Sequence, residues 1–123
     1  MRCNLLTLAI PLLRVANCAA AEDFYCNRLG FRREFAHRGD NALPDPCYMG
    51  VTRDRVWLHI SSFSGDGVFG GVANLLVDNV DALHADFLAK GVAIAVGPVD
   101  QTWGTREMYV KDADGNCLRF IQG

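Results

Sequence analysis

The sequence lacks the basic clusters that mark a nucleic-acid-binding surface. Lysine and arginine together number 12, against 14 aspartate and glutamate residues, and the formal net charge is −2. A protein that neutralises nucleic-acid phosphates presents a face of concentrated positive charge, and no stretch of this chain supplies one. We therefore expect neither a nucleic-acid nor a membrane partner, and we expect a small molecule as the ligand.

Cysteine is too scarce and too scattered for a disulfide framework or a zinc site. No two cysteines are spaced as C-x-x-C, and the total of five is odd: Cys3, Cys18, Cys26, Cys47 and Cys117. This pattern is typical of a protein from a reducing compartment. The sequence therefore predicts free thiols and a cytoplasmic location.

The amino-terminal segment allows two interpretations. Arg2, an apolar run over 5–13 and the alanines at 19–21 have the layout of a secretory signal peptide. The alternative is a first β-strand followed by a helix. An internal repeat favours this alternative, because cleavage after Ala21 would remove a strand and half a helix that the second half of the chain retains. We therefore expect an uncleaved amino terminus.

The repeat lies within 123 residues, a length that suits a single domain. Its two copies are V-A-N at 15–17 with Phe24 and Gly30, and V-D-N at 77–79 with Phe87 and Gly91. In each copy an apolar strand ends in a polar N-cap, a helix follows, and a glycine closes the helix. The sequence predicts two β-α-β-β-β modules in the domain 1–123, at about 4–61 and 71–122.

The elements of each module follow from hydrophobic periodicity and turn residues. The first module is predicted to contain a strand over 5–15, a helix over about 19–29, and strands over 32–37, 47–52 and 56–61. The second is predicted to contain a strand over 71–77, a helix over 80–90, a short strand near 93–96, and a hairpin with strands over 107–111 and 117–121. The glycine-rich stretch 61–71 is the predicted linker between them.

Alternation along the strands predicts which side chains face the core and which face a cleft. The predicted core side chains are Val56, Leu58, Ile60, Met108, Val110, Leu118 and Phe120. The opposite face then carries Trp57, His59, Glu107, Tyr109 and Arg119. A sheet covered by a helix on one side has a free second face, and two free faces can curve into a cleft. Periodicity alone also allows a solvated outer face.

The stretch 101–120, Q-T-W-G-T-R-E-M-Y-V-K-D-A-D-G-N-C-L-R-F, resembles the carboxy-terminal signature of the bleomycin resistance proteins. The pattern W-G-x-R-E, then D-x-D-G-N and a hydrophobic strand, carries the resemblance. These proteins belong to the glyoxalase, bleomycin resistance and extradiol dioxygenase superfamily, also called the vicinal oxygen chelate superfamily. The resemblance implies an α+β fold in which two βαβββ modules form curved mixed, mostly antiparallel sheets around a ligand or metal cleft. It also implies a homodimer.

Enzymes of this superfamily bind a divalent metal with histidine and glutamate ligands. The resemblance places three of the four ligand positions at Ile10, Val72 and Arg119, and the fourth at Trp57 or His59. Aliphatic side chains cannot coordinate a metal, and a guanidinium stays cationic. Because catalytic sites typically use about three protein ligands, we expect no metal, no cofactor and no catalytic residue. A metal-dependent lyase or dioxygenase of the same superfamily is the alternative function.

Binding without turnover is therefore the predicted function, with a bleomycin-type or other aromatic antibiotic as the ligand. The predicted ligand-binding residues are Trp57, His59, Phe63, Trp103, Glu107, Tyr109 and Arg119. The two tryptophans offer flat surfaces for stacking, and Phe63 and Phe69 in the linker are candidates to close over the ligand. Glu107 with the acidic turn favours a cationic ligand, whereas Arg119 leaves an anionic ligand open.

Overall fold

The computed structural model describes residues 4–123, which form two four-stranded sheets and two helices. The strands are β1 (Leu12–Arg14), β2 (Arg32–Arg38), β3 (Cys47–Arg53), β4 (Val56–Ser61), β5 (Val72–Leu76), β6 (Val96–Asp100), β7 (Arg106–Lys111) and β8 (Cys117–Gln122). The helices are α1 (Cys18–Glu22), which continues in π-helical form over Asp23–Arg28, and α2 (Val80–Ala89). Within the described part of the chain, no helix has the length and apolar character needed to cross a membrane.

Each sheet is mixed, with one parallel pair at its edge. The first sheet has the order β1-β4-β3-β2 and the second has the order β5-β8-β7-β6. The pairs β1 with β4 and β5 with β8 are parallel, and the remaining pairs are antiparallel. This arrangement confirms the predicted α+β architecture of two mixed, mostly antiparallel sheets.

The two halves repeat one another at the start of each helix. The side chain of Asn17 accepts a hydrogen bond from the Ala20 N–H at 2.9 Å, and the side chain of Asn79 accepts one from the Ala82 N–H at 3.0 Å. Asparagine satisfies free N–H groups at a helix start and favours the extended backbone that precedes it. Both predicted helix starts are therefore confirmed.

The strand register repeats as well. Leu12 pairs with His59 in the first sheet, and Asn74 pairs with Arg119 in the second. His59 and Arg119 thus occupy corresponding positions in the two halves of the molecule.

One continuous core lies between the helices and the helix-covered faces of the sheets. Six of the seven predicted core side chains are buried: Leu58, Ile60, Met108, Val110, Leu118 and Phe120. Val56 is only partly buried and packs against the edge of this core.

Polar side chains connect the two halves across this core. The hydroxyl of the fully buried Tyr25 donates to the Asp112 carboxylate at 2.7 Å. The side chain of Asn116, also fully buried, donates to the Arg14 carbonyl at 2.7 Å and accepts from the Gly71 N–H at 2.9 Å. The turn between β7 and β8 is therefore fixed to the first half of the chain as well as to its own sheet.

Two predicted strands differ from the structure. The strand predicted over 5–15 is confined to Leu12–Arg14. Pro11 immediately before it has no N–H to donate to a neighbouring strand. The strand predicted near 93–96 instead runs over Val96–Asp100. It is an edge strand that contains Pro98, and its register with β7 shifts between Val96 and Val99.

The prediction of free thiols is wrong for two of the cysteines. Cys18 at the start of α1 and Cys47 at the start of β3 form a disulfide, whereas Cys26 and Cys117 are free. Cys3 lies outside the described residues. The two bridged cysteines are 29 residues apart, and the sequence does not show that α1 begins beside the start of β3.

Candidate functional site

The face of the first sheet that is turned away from the core carries an aromatic cluster. We define this cluster as Phe35, Tyr48, Trp57 and His59. Along β4, Leu58 and Ile60 are buried in the core, while the alternating Trp57 and His59 are only partly buried on the opposite face. The rings of Trp57 and Tyr48 both contact His59 edge to face, at centroid distances of 6.2 Å and 5.2 Å.

His59 is held in its neutral form. Burial lowers the pKa of its imidazole below the ordinary value, because removal from water disfavours the charged form. The Tyr48 hydroxyl lies 2.6 Å from His59 Nδ1. A neutral imidazole that accepts this hydrogen bond at Nδ1 carries its proton on Nε2. The aromatic cluster is therefore uncharged at neutral pH.

Phe35 completes the cluster because β3 has a glycine opposite it. Phe35 pairs with Gly50 in the register, and a Cβ atom at Gly50 would overlap the Phe35 ring. The ring is stacked on Tyr48 at 6.3 Å and lies edge to face with His59 at 5.5 Å. Sequence reasoning missed both Phe35 and Tyr48. The available signal was Gly50 itself, since a glycine inside a strand often marks a close approach.

The corresponding face of the second sheet carries a hydrogen-bonded network around Glu107. We define the Glu107 network as Trp103, Thr105, Glu107 and Tyr109. The hydroxyls of Thr105 and Tyr109 donate to the Glu107 carboxylate at 2.6 Å and 2.7 Å, and the Trp103 indole N–H donates at 3.1 Å. These donors lower the pKa of Glu107, with Thr105 contributing most. Glu107 is only 4% exposed, and Thr105 was not among the predicted residues.

The Tyr109 hydroxyl stays protonated in this network. Its hydrogen bond to Glu107 raises its pKa, and burial raises it further. A tyrosine in this state can donate a hydrogen bond but cannot act as a general base at neutral pH.

Arg119 lies beside the Glu107 network with no hydrogen-bonding partner of its own. Its guanidinium carbon is 5.1 Å from the centre of the Tyr109 ring. Among residues 4–123 it forms no side-chain hydrogen bond and no salt bridge, and its Nε atom is buried without a partner. Asn74, exposed on β5, is its neighbour in the parallel register.

The structure separates the seven predicted site residues into two groups. The first sheet carries Trp57 and His59, and the second carries Trp103, Glu107, Tyr109 and Arg119. Phe63 follows β4, where its N–H donates to Ser61 Oγ at 3.0 Å. Across the described residues, no hydrogen bond, ion pair or ring contact joins the aromatic cluster to the Glu107 network.

The residues on the open faces do not fit a divalent metal. Val72 on β5 is aliphatic, Ile10 lies just before β1, and Arg119 is a cation. The register places the aliphatic Leu12 beside His59, and among residues 4–123 His59 belongs to no group of three histidine, cysteine or carboxylate ligands. In the described part of the chain, the one group of three potential metal ligands is Cys18, Asp45 and Cys47, and there the two sulfur atoms are bonded to each other.

A separate groove of about 500 Å³ lies between the two halves, at the start of α2 and the turn between β3 and β4. None of the seven predicted site residues lines it. Arg53 on its rim is already paired, since it donates to Asp86 at 3.3 Å and to the Leu29 carbonyl at 2.6 Å. We keep the two open faces as the candidate ligand site, because they carry six of the seven predicted site residues.

Comparisons with known proteins identify a family and a shared fold. A family model described as a glyoxalase superfamily protein matches residues 3–123. A bleomycin resistance determinant encoded on the transposon Tn5 has a TM-score of 0.76 at 23% identity, covering 96% of this chain and 98% of that chain. A bleomycin-binding protein complexed with bleomycin has a TM-score of 0.75 at 22% identity, covering 96% and 99%. The comparison with curated proteins finds no match.

A third solved structure has the same architecture. An antibiotic-binding protein from Streptomyces sp. CB03234 has a TM-score of 0.72 at 24% identity, covering 97% of this chain and 98% of that chain. At these identities the three structures show a common fold for all four chains.

Proposed function

This chain belongs to the glyoxalase superfamily, and from that membership we propose that it binds an aromatic antibiotic on its open sheet faces and holds it without turnover. The aromatic cluster carries this proposal. Its four rings lie together on a face that the core does not use, and His59 among them is neutral. Such a surface suits the flat ring of a ligand, since each aromatic contact is worth about 0.5–1.5 kcal/mol beyond area burial.

The absence of a metal-binding set supports binding rather than catalysis. Most polar side chains of the described open faces are already hydrogen-bonded to one another, and the exceptions are Arg14, Asn74, Arg119 and the Nε2 side of His59. Tyr109 is kept protonated by Glu107.

Titration calorimetry with metal-free bleomycin tests the function. We expect saturable heat at tens of micromolar protein, and about tenfold weaker binding by Trp57→Ala and by Trp103→Ala, because loss of one stacking surface is worth about 1.4 kcal/mol. Leu88→Ala is the matched control, since Leu88 is exposed on α2 away from both faces. Binding that is indifferent to both tryptophans would reject the proposal. Stoichiometric metal that resists mild chelation would favour a metal-dependent lyase or dioxygenase instead.

A homodimer is part of the proposal, because it would bring an open face of one chain against an open face of its partner. The segment 4–11 supports it with three strongly exposed side chains, Leu5, Leu6 and Leu8. Exposed apolar patches of this kind mark interaction surfaces. Light scattering should give twice the 13.5 kDa chain mass at micromolar concentration. Leu6→Asp should give the monomer and Leu88→Asp should not. A monomer in the unmodified protein would reject this part.

The cytoplasmic location and the uncleaved amino terminus also remain predictions. The disulfide is a bond that oxidising compartments favour, whereas Ala21 is buried inside α1, so cleavage behind it would remove part of the core. Intact-mass measurement on protein alkylated before lysis of its native host decides both points. A mass beginning at Glu22 would contradict the uncleaved terminus.

A further inference from the structure

The two charged residues of the second open face, Glu107 and Arg119, differ in their hydrogen bonds. Glu107 is buried and accepts hydrogen bonds from three side chains, with Tyr109 on one carboxylate oxygen and Trp103 and Thr105 on the other. A ligand cation would have to displace these donors. Glu107 is therefore an internal acceptor that organises the face and not a site for a cationic ligand.

Arg119, in contrast, has no hydrogen-bonding partner among the described residues. Its guanidinium has five N–H donors, and within residues 4–123 none of them meets an acceptor. Its Nε atom is buried without a partner. Buried donors are rarely left unpaired in native structures, so each one calls for an explanation. The guanidinium carbon lies 5.1 Å from the centre of the Tyr109 ring, and Asn74 is the neighbour of Arg119 in the strand register.

The carboxylates near the first open face, Asp66 and Glu34, already accept hydrogen bonds from the Ser61 and Thr52 hydroxyls at 2.7 Å and 2.6 Å. His59 is neutral there, and Arg14 at the edge of the face also has a buried Nε without a partner. The Arg14 guanidinium is 5.2 Å from the centre of the exposed Phe69 ring. Both open faces therefore combine flat rings with an arginine that lacks an acceptor.

From these contacts we propose that the ligand carries an anionic group, such as a carboxylate, sulfonate or phosphate, which Arg119 binds next to the aromatic part. This proposal rests on the proposed function and specifies its ligand class. It replaces the cationic ligand that the acidic residues of the sequence favoured. A planar guanidinium matches the oxygens of such groups in a bidentate geometry, which a lysine does not reproduce.

Two dyes that differ by one sulfonate group test the ligand class on the unmodified protein. Anilinonaphthalene sulfonate is an aromatic anion, and phenylnaphthylamine has the same rings without the sulfonate. We expect the sulfonate to bind at least about tenfold more tightly by fluorescence titration, and added salt should reduce this difference. Equal or tighter binding of the neutral dye would overturn the proposal.

Three variants locate the anion. Arg119→Gln should remove the preference for the sulfonate, and Arg119→Lys should restore only part of it. Arg55→Gln is the matched control, because Arg55 is an exposed arginine that lines the separate groove. A preference lost in Arg55→Gln and kept in Arg119→Gln would place the dye in that groove and overturn the assignment. Circular dichroism verifies that each variant is folded.

The two proposals fail in different ways. Binding of both dyes with equal affinity, weakened by Trp57→Ala or Trp103→Ala, would contradict the anionic ligand and leave the aromatic site standing. Absence of binding by both dyes, together with no heat from bleomycin, would contradict the aromatic site and the anionic ligand with it.

Discussion

Glu107 is the residue on which the second open face depends. It is one of three polar or charged residues buried in the described part of the chain, together with Ser61 and Asn116. Its three donors satisfy both carboxylate oxygens. Since an ionised carboxylate that loses such donors would be left buried and unpaired, the network and the ionised state of Glu107 stabilise each other.

This coupling predicts how stability depends on pH. The pKa of Glu107 is lowered in the folded protein, so the unfolded chain binds more protons than the folded one in the acidic range. The stabilisation is present above the unfolded value of about 4.3 and is lost as pH falls through the lower folded value. Unfolding midpoints measured between pH 6 and pH 3 should show this loss in the unmodified protein. Glu107→Gln should show a flatter profile, and an identical slope in both proteins would contradict the prediction.

Alternation along strands was sufficient to place individual side chains on the correct face. Trp57, His59 and Arg119 are all turned away from the core because their neighbours Leu58, Ile60 and Leu118 are buried in it. Alternation could not show which strands lie side by side. Phe35 was missed for this reason, since it joins the cluster only through its pairing across from Gly50.

Among the elements, α1 and β3 are joined by a covalent bond. Cys18 and Cys47 are both buried, and the bridge between them closes a loop with a sequence separation of 29. The Cys18 N–H also donates to Asp45 at 3.0 Å, and the Ser62 hydroxyl donates to the same carboxylate oxygen at 2.6 Å. The starts of α1 and β3 and the end of β4 are thus held at one point.

Reduction of this bridge should destabilise the protein by about 2–4 kcal/mol, the usual contribution of a disulfide that restricts the unfolded chain. Urea denaturation with and without a reducing agent measures the effect. Cys47→Ser should lower the midpoint to a similar extent and become insensitive to the reducing agent. Cys26→Ser is the control, since Cys26 is free and partly exposed. A midpoint of the unmodified protein that does not respond to reduction would contradict the bridge.

The elements predicted from the repeat were more reliable than those predicted from hydrophobicity alone. Both helix starts were found from Asn17 and Asn79, because a cap is a local signal that a short stretch of sequence contains. The first strand was predicted too long because residues 5–10 have the apolar character of a strand but form no strand pair within residues 4–123.

At the scale of the whole molecule, the two halves are held together by buried polar contacts as well as by the core. Asn116 is the central residue of these contacts, since it is fully buried and bonds to the Arg14 carbonyl, to the Gly71 N–H and to Asp112. The sequence marked Asn116 only as part of a turn. Its hydrogen bond to the Arg14 carbonyl joins residues 102 positions apart in the sequence. This contact depends on how the two sheets meet, and local sequence patterns do not predict that.

Asn116→Ala should therefore cost about 2–4 kcal/mol, because it leaves backbone groups of both halves without partners. Chemical denaturation followed by tryptophan fluorescence and by circular dichroism measures the loss. Asn27→Ala is the matched control, since the exposed Asn27 side chain bonds only to Asp23 on its own helix. A cost no larger than that of the control would show that the core alone joins the two halves.

The corresponding positions of His59 and Arg119 make the two open faces alike in geometry and different in charge. One position holds a neutral ring and the other a permanent cation. Each lies on the strand that pairs in parallel with an edge strand, β4 beside β1 and β8 beside β5. Because no hydrogen bond, ion pair or ring contact links His59 to Arg119 within residues 4–123, a substitution at one position removes no direct contact of the other. A duplicated fold of this kind can acquire a new ligand range through a single codon, while the second half preserves its existing selectivity.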